Sequence, residues 1–82
     1  MEGEKHQAPV ALITGTSRGI GRHLAEHLLR AGYYVEGCSR SPGPLEHPNY
    51  HHHTTDVSSE RDVVEMFRLI RRRHGGLQVA IN

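Results

Sequence analysis

The chain has 82 residues, of which 35% are hydrophobic. A chain of this length has room for one small core and buries only about 60% of its unfolded surface. Ten Lys and Arg residues against nine Asp and Glu residues leave a net charge of +1, too small for non-specific nucleic-acid binding. The composition therefore predicts a globular domain, or part of one, with no nucleic-acid partner.

The sequence also indicates in which cellular compartment the protein is found. A single cysteine, Cys38, excludes an internal disulfide and a multi-cysteine zinc site. Residues 1–9 are polar, so we expect a disordered N-terminal tail there and no secretory signal. The apolar run from Val10 to Ile13 has four residues, whereas a membrane span needs about 20. We therefore expect a cytoplasmic protein with no membrane partner.

The first part of the chain alternates between strand and helix patterns. Val10 to Thr14 is short, apolar and followed by glycine, which is typical of a strand buried on both faces of a parallel sheet. A helical period then begins, and Gly32 is placed to end the helix. The predicted apolar stripe of this helix consists of Ile20, Leu24, Leu28 and Ala31.

Two further strands are predicted before the next helix. Tyr33 to Ser39 is predicted as the second strand, and Tyr50 to Asp56 as a weaker third strand rich in His and Thr. Between them, the prolines and glycine within Arg40 to Asn49 predict a loop.

The last segments predict a second helix and a fourth strand. The helix is expected to start at Ser58 or Ser59 and to stop at Gly75. Its predicted stripe is Val63, Phe67, Ile70 and His74, with Met66 and Phe67 in the core. Leu77 to Ile81 is predicted as the fourth strand.

The resulting order is β-α-β-loop-β-α-β. Repeated right-handed crossovers of this kind build a doubly wound parallel sheet of Rossmann type, here with the expected strand order 3-2-1-4. The fourth strand would be a bare apolar edge, which complete domains usually cover. We therefore expect residues 10–82 to be a partial domain of this fold, truncated at the fourth strand and able to self-associate through it.

A glycine-rich segment joins the first strand to the first helix, with the sequence Thr-Gly-Thr-Ser-Arg-Gly-Ile-Gly at residues 14–21. Gly15, Gly19 and Gly21 would allow a tight turn, close approach of the backbone to a pyrophosphate, and close packing of the helix on the strand. The unpaired N–H groups at the helix start attract phosphate. This pattern, between a strand and a helix, predicts dinucleotide binding.

At these residues the sequence resembles the short-chain dehydrogenase/reductase family, whose motif is Thr-Gly-x-x-x-Gly-x-Gly. Asp56 and Val57 resemble the family's Asp at the end of the third strand and the residue after it, which bind adenine through the carboxylate and a backbone N–H. Residues 79–82 resemble the approach to the family's Asn-Asn-Ala-Gly motif, ending at its first Asn, Asn82. The resemblance implies donors at Ser17 and the Ile20 backbone for the pyrophosphate.

Charge indicates which dinucleotide is preferred. The resemblance places Ser39 where NAD-binding members have an Asp that binds the ribose hydroxyls, and Arg40 follows it. Together with Arg18 before the middle glycine, these residues favour the 2′-phosphate of NADP(H) over NAD(H). Glu36 has the spacing of a ribose-binding carboxylate, but we place it in mid-strand, too early to reach the ribose. A glutamate inside a central strand is then unexplained.

The resemblance implies an oxidoreductase that moves hydride between NADPH and a carbonyl or alcohol. The family's catalytic Tyr-x-x-x-Lys does not occur, because the single lysine, Lys5, precedes all three tyrosines. We therefore expect no catalytic residue in these 82 residues. The alternatives are a non-catalytic dinucleotide-binding or interaction module, and a truncated product that does not fold stably.

Histidines near the third strand offer a metal-binding alternative, since imidazole is a common metal ligand. They are His47, His51, His52 and His53. Strand alternation puts only His51 and His53 on one face, and no nearby cysteine completes a site. The sequence therefore favours a solvated edge strand with no metal. The arginines at 71–73 are likewise interpreted as a cationic helix end.

Overall fold

The computed structural model describes residues 8–17, 19–76 and 79–81. Within these ranges the chain forms, in order, β1 (Val10–Thr14), α1 (Gly19–Arg30), β2 (Tyr34–Ser39), β3 (Tyr50–Thr54), α2 (Glu60–His74) and β4 (Val79–Ile81). The strands are parallel, in the spatial order β3-β2-β1-β4. The predicted doubly wound sheet and its strand order are confirmed. Most of the predicted N-terminal tail, residues 1–7, lies outside the described residues.

The predicted boundaries agree with the structure to within one or two residues. β2 begins one residue later than expected, and β3 ends at Thr54, two residues earlier than expected. Residues 40–49 form no helix or strand, as expected. The start of the predicted fourth strand, at residues 77–78, lies outside the described residues.

Both ends of α2 are capped as the sequence predicts. Ser59 is the N-cap, and its side chain accepts a hydrogen bond from the N–H of Asp62. Gly75 adopts φ 85° and donates its N–H to the carbonyl of Arg71. The acidic first turn and the basic last turn complement the helix dipole. Neither helix in the described part of the chain has the length and hydropathy needed to span a bilayer.

The sheet is covered on both sides. α1 covers the side whose buried cluster is Ile13, Ala25, Leu29, Val35 and Tyr50. α2 covers the opposite side, whose buried cluster is Leu12, Cys38, Met66 and Ile70. Successive residues of a strand point to opposite faces, so each of β1 and β2 contributes residues to both clusters.

The predicted apolar stripe of α1 is half correct: Leu24 and Leu28 are partly buried against the core, but the fully buried residues lie one position further along the chain. Gly21, Ala25 and Leu29, four residues apart, run along the side of α1 toward the sheet, and the latter two are buried. Ile20 is 86% exposed and Ala31 is also exposed, contrary to prediction. Gly21 sets the rotation of the helix, because its missing side chain lets the first turn of α1 contact the end of β1.

The core prediction for α2 is half wrong. Met66 and Ile70 are buried against the sheet, as Met66 was expected to be. Phe67 is 44% exposed, because it lies one position, about 100° around the helix, from Met66. Of the other members of the predicted stripe, Ile70 is buried as expected, and Val63 and His74 are half-buried.

Candidate functional site

The turn between β1 and α1 depends on its glycines. Gly15 and Gly19 have φ angles of 74° and 66°, which L residues with side chains rarely adopt. A Cβ on Gly21 would lie 2.7 Å from the carbonyl carbon of Gly15 and closer still to its oxygen. The three predicted glycines therefore serve two purposes: two permit the turn, and one permits contact between helix and turn.

The turn is tied to the two neighbouring strands. The N–H groups of Gly15 and Thr16 donate to the carbonyl of Cys38 in β2, at 2.7 and 3.3 Å. The side chain of Thr16 is fully buried, and its hydroxyl lies 2.7 Å from the hydroxyl of Tyr50 in β3. These contacts hold the turn over the carboxyl ends of β1 and β2.

A chain of hydrogen bonds continues from Tyr50 to the loop after β2. Nε2 of His52 lies 3.0 Å from the carbonyl oxygen of Ser41, which can only accept, so we place the proton on Nε2. With the proton there, Nδ1 accepts from the hydroxyl of Tyr50 at 2.8 Å, and the hydroxyl of Thr16 donates to Tyr50. The hydroxyl of Ser39 also donates to the carbonyl of Ser41, at 2.6 Å. The turn and the loop after β2 are thereby connected.

A cleft of about 710 Å³ lies at the carboxyl ends of β1 and β2 and against the loop after β3. Carboxyl ends of parallel strands are where doubly wound folds bind ligands. Its lining is mostly backbone and hydroxyl groups, with one guanidinium and one carboxylate; the lining residues are Thr14, Gly15, Ser17, Cys38, Ser39, Arg40, Ser41, Thr55, Asp56, Val57 and Ser58.

The Asp56 carboxylate is held at the rim of this cleft. Its Oδ1 accepts hydrogen bonds from the hydroxyl and the N–H of Ser58, at 2.7 and 2.9 Å. These two bonds, aided by the positive charge of Arg40, lower the pKa of Asp56 below its ordinary value of 3.8. The carboxyl is therefore ionised at neutral pH and accepts hydrogen bonds.

The start of α1 adds positive potential. The first turn of α1 contains no acidic residue. Its N–H groups have no partner within the helix, and the helix dipole places a partial positive charge there. Arg40 is exposed at the cleft. Backbone donors and a guanidinium thus combine into a surface that favours an anion.

The structure brings most of the predicted site residues together. Gly15, Ser17, Ser39, Arg40, Asp56 and Val57 line the cleft. Gly19, Ile20 and Gly21 form the first turn of α1, with the side chain of Ile20 in solvent. Arg18 and Asn82 lie outside the described residues.

Glu36 lies in the middle of β2 with a fully buried side chain, and it is not among the cleft residues. This agrees with the expectation that it is too early in the strand to reach a ribose. The predicted position of Glu36 inside the second strand is therefore confirmed.

Sequence reasoning missed the residues that support the turn. Thr16 occupies a variable position of the glycine motif, Tyr50 and His52 belong to no motif, and their contacts join the turn to β3. The available signal was the spacing of Tyr50 and His52, which alternation places on one face of β3. Which residues this face of β3 contacts could not be predicted without knowing the register of β2 against β3.

The sequence is similar to those of known proteins. A sequence model described as short chain dehydrogenase matches residues 9–82. The human dehydrogenase/reductase SDR family member 11 is 34% identical over 96% of this chain, and the match covers 35% of that protein. The NADPH-dependent pterin aldehyde reductase of Arabidopsis thaliana is 36% identical over 92% of this chain and 34% of the reductase.

The fold is also found among solved structures. A short-chain dehydrogenase from Leptospira borgpetersenii with bound NAD⁺ superposes with a TM-score of 0.83 at 22% identity, over 93% of this chain and 31% of that one. This chain thus spans about a third of the length of the proteins it matches. With a glycine turn and a cleft in the expected places, and with a family match over nearly all of its length, the chain belongs to the short-chain dehydrogenase/reductase family.

Proposed function

We propose that this chain binds NADP(H) in the cleft, as the cofactor-binding portion of an oxidoreductase that moves hydride between NADPH and a carbonyl or alcohol. The observation that carries the proposal is the glycine turn between β1 and α1, which opens onto a polar cleft at the carboxyl ends of the strands. The nicotinamide of the bound cofactor would supply the hydride chemistry.

The pyrophosphate would bind at the start of α1. The N–H groups of Gly19 and Ile20 are in the first turn, and Ser17 lines the cleft just before it. Because Gly21 has no side chain, the helix start lies against the turn and its dipole acts on the phosphates at short range. In this role the glycine turn supplies donors and keeps side chains away from the phosphate oxygens.

The adenosine end would bind between the loops after β2 and β3. Arg40, exposed at the cleft, would contact the 2′-phosphate, and Asp56 with the N–H of Val57 would contact adenine. The hydroxyl of Ser39 already donates to Ser41, so we assign it a smaller share than Arg40. Arg18 would join Arg40, and Asn82 would lie near the cofactor. The preference for NADP(H) is supported by one of the similar proteins, the pterin aldehyde reductase, which is NADPH-dependent.

Binding is the role we assign to these residues. The family's Tyr-x-x-x-Lys pair is not contained in the 82-residue sequence, in which Lys5 precedes all three tyrosines. Hydride transfer would therefore need an acid and a carbonyl-polarising group from residues other than these.

Calorimetric titration with NADPH and NADH tests the proposal. We expect NADPH to bind at least tenfold more tightly than NADH, since a charge-assisted hydrogen bond contributes about 1.5–3 kcal/mol. Arg40→Ala should reduce that difference by weakening NADPH alone, with Arg18 and Ser39 keeping part of the preference. Arg61→Ala, an exposed arginine on α2, is the matched control and should change neither affinity. No binding of either nucleotide at millimolar concentration would refute the proposal, and equal affinities would refute the NADP preference.

A self-associating module is the second candidate. The strand order places β4 at one edge of the sheet, paired with β1 among the described residues. An exposed edge strand offers unpaired backbone groups to a second chain. Light scattering over a range of protein concentrations tests this candidate, and a constant monomer mass would reject it.

A further inference from the structure

Glu36 is a charged residue in an unusual place. It lies in the middle of β2, paired in register with Leu12 of β1 and His51 of β3, and its side chain is 0% exposed. Removing a carboxylate from water costs several kcal/mol unless other groups compensate its charge. Glu36 does not line the dinucleotide cleft, so the cleft does not explain why a carboxylate is buried here. The groups that compensate its charge lie on the α2 side of the sheet.

Four side chains surround the carboxylate. Oε2 is 2.8 Å from Nε2 of His74 and 3.1 Å from Nδ1 of His51. Oε1 is 2.7 Å from Nε2 of His53 and 2.9 Å from Nη1 of Arg73. Burial by itself raises the pKa of Glu36, but the bonds from His53 and His74 and the charges of Arg73 and His51 outweigh it and lower the pKa below 4.5. Glu36 is therefore an anion at neutral pH.

The fold creates this cluster from three separate elements. His51 and His53, two residues apart on β3, point to the same face of the sheet as Glu36. α2 packs on that face through Met66 and Ile70, and four residues beyond Ile70 its last residue is His74. The sequence interpretation, which treated these histidines as a solvated edge, did not anticipate the convergence of β2, β3 and the end of α2.

We propose that Glu36, His51 and His74 form a binding site for a divalent transition metal ion, with Zn²⁺ the best match. One carboxylate oxygen and two imidazole nitrogens lie within 4.8 Å of one another. Two histidines and one carboxylate, with a fourth position left to water, are a known ligand set of tetrahedral zinc.

Two of the three distances between ligand atoms need little change to accept the ion. With bonds of 2.0–2.1 Å and tetrahedral angles, ligand atoms stand about 3.3 Å apart. Oε2 is now 2.8 and 3.1 Å from the two nitrogens, so these separations would widen by roughly 0.5 Å or less as the ion replaces the shared protons. The two nitrogens lie within 4.8 Å of each other and would have to move to about 3.3 Å apart, a change that side-chain rotation must supply. The His51 side chain is 40% exposed, whereas that of His74 is 9% exposed, so the fourth position opens on the His51 side.

The remaining two partners would act on the carboxylate and not on the ion. His53 and Arg73 both bind Oε1, which fixes the carboxylate and leaves Oε2 to the metal. The guanidinium of Arg73 also repels a cation, so binding should be weaker than in structural zinc sites. Because metal and protons compete for the same nitrogens, affinity should fall as the solution is acidified.

The rival explanation is that the cluster only forms hydrogen bonds and ion pairs. A further rival is a different chelate, since His23 and His27 are exposed and four residues apart on α1, a spacing that puts both on one side of a helix. The test must therefore distinguish the site on β2, β3 and α2 from one on α1.

The first experiment is calorimetric titration of the chelator-treated 82-residue chain with Zn²⁺, without nucleotide. We expect one equivalent to bind, and His51→Ala to weaken binding at least tenfold. His23→Ala is the matched control and should leave the affinity unchanged; circular dichroism checks that each variant is folded. The absence of Zn²⁺ binding, or binding lost with His23→Ala and kept with His51→Ala, would overturn the proposal.

A second measurement uses the unaltered sequence, so it does not depend on a variant folding. The ¹⁵N shifts of the imidazole rings identify which nitrogen binds a metal. We expect Zn²⁺ to move the Nδ1 resonance of His51 and the Nε2 resonance of His74. Movement of the His23 and His27 rings instead, or of no ring, would overturn the proposal. Because no nucleotide is present, either outcome leaves the NADP(H) proposal standing.

Discussion

Gly21→Ala tests the contact between α1 and the glycine turn. The new Cβ would lie 2.7 Å from the carbonyl carbon of Gly15 and 3.2 Å from the carbonyl oxygen of Thr14. Ordinary contacts between carbon atoms begin near 3.5 Å, so the start of α1 would have to retreat by about 1 Å. N–H groups that reach a phosphate at about 3 Å would then stand near 4 Å, beyond hydrogen-bond range.

The effects on stability and on binding should differ. Alanine gains about 1 kcal/mol over glycine in a helix, and the crowding costs about 1–3 kcal/mol, so unfolding free energy should fall by about 0–2 kcal/mol. Loss of one charge-assisted bond to phosphate costs about 1.5–3 kcal/mol, which raises the Kd for NADPH at least tenfold.

Calorimetry gives the Kd and urea denaturation gives the free energy of unfolding. Gly76→Ala is the matched control, because a Cβ there meets nothing within 4 Å and its φ is not positive. The control should bind NADPH as the unmodified chain does. If Gly21→Ala bound NADPH within twofold of the unmodified chain, the proposed role of the helix start would be wrong.

Three further predictions concern the scaffold. Ser59→Ala removes the N-cap bond to Asp62, so urea denaturation should show a loss of about 1 kcal/mol; an unchanged midpoint would contradict the capping role. Tyr50→Phe leaves the buried hydroxyl of Thr16 without its partner and should cost about 1–3 kcal/mol in the same assay, whereas a loss below 0.5 kcal/mol would show that the contact is dispensable. Burial raises the pKa of the Cys38 thiol above 9.0, so iodoacetamide at pH 8 should label Cys38 only as fast as the chain unfolds; labelling as fast as that of free cysteine would contradict its burial.

The order of elements was predictable because each is marked locally. β1 contains the continuous apolar run from Val10 to Ile13, and Gly32 and Gly75 end helices with φ angles of 96° and 85°. Such signals lie within a few residues of the structure they determine. The strand order then followed from the doubly wound fold that binds dinucleotides.

The helix faces were predicted less well, because apolar periodicity does not fix rotation to within one residue. Ile20 and Phe67 fit a helical stripe in the sequence but lie in or near solvent. The rotation of α1 is set by the contact of Gly21 with the turn, which is a tertiary contact between residues at opposite ends of a loop. Such a contact outweighs the hydrophobicity of a single side chain.

For the site as well, features marked by local sequence were predicted and features that depend on tertiary contacts were not. The glycines and the residues after β2 and β3 were found from motif and spacing, and the structure places them around one cleft. The environment of Glu36 was not found, because it depends on the register of β2 with β3 and on where the last turn of α2 falls. Contacts between three elements far apart in sequence leave no local pattern.

The central claim is that the glycine turn and the loops after β2 and β3 form one dinucleotide site. Its most direct test is a ¹⁵N–¹H NMR titration of the chain with NADPH. We expect the largest amide shifts at Gly15, Ser17, Gly19, Arg40 and Val57, with little change along α2. Shifts that are absent at millimolar NADPH, or that cluster on α2 and leave the glycine turn unmoved, would contradict the account.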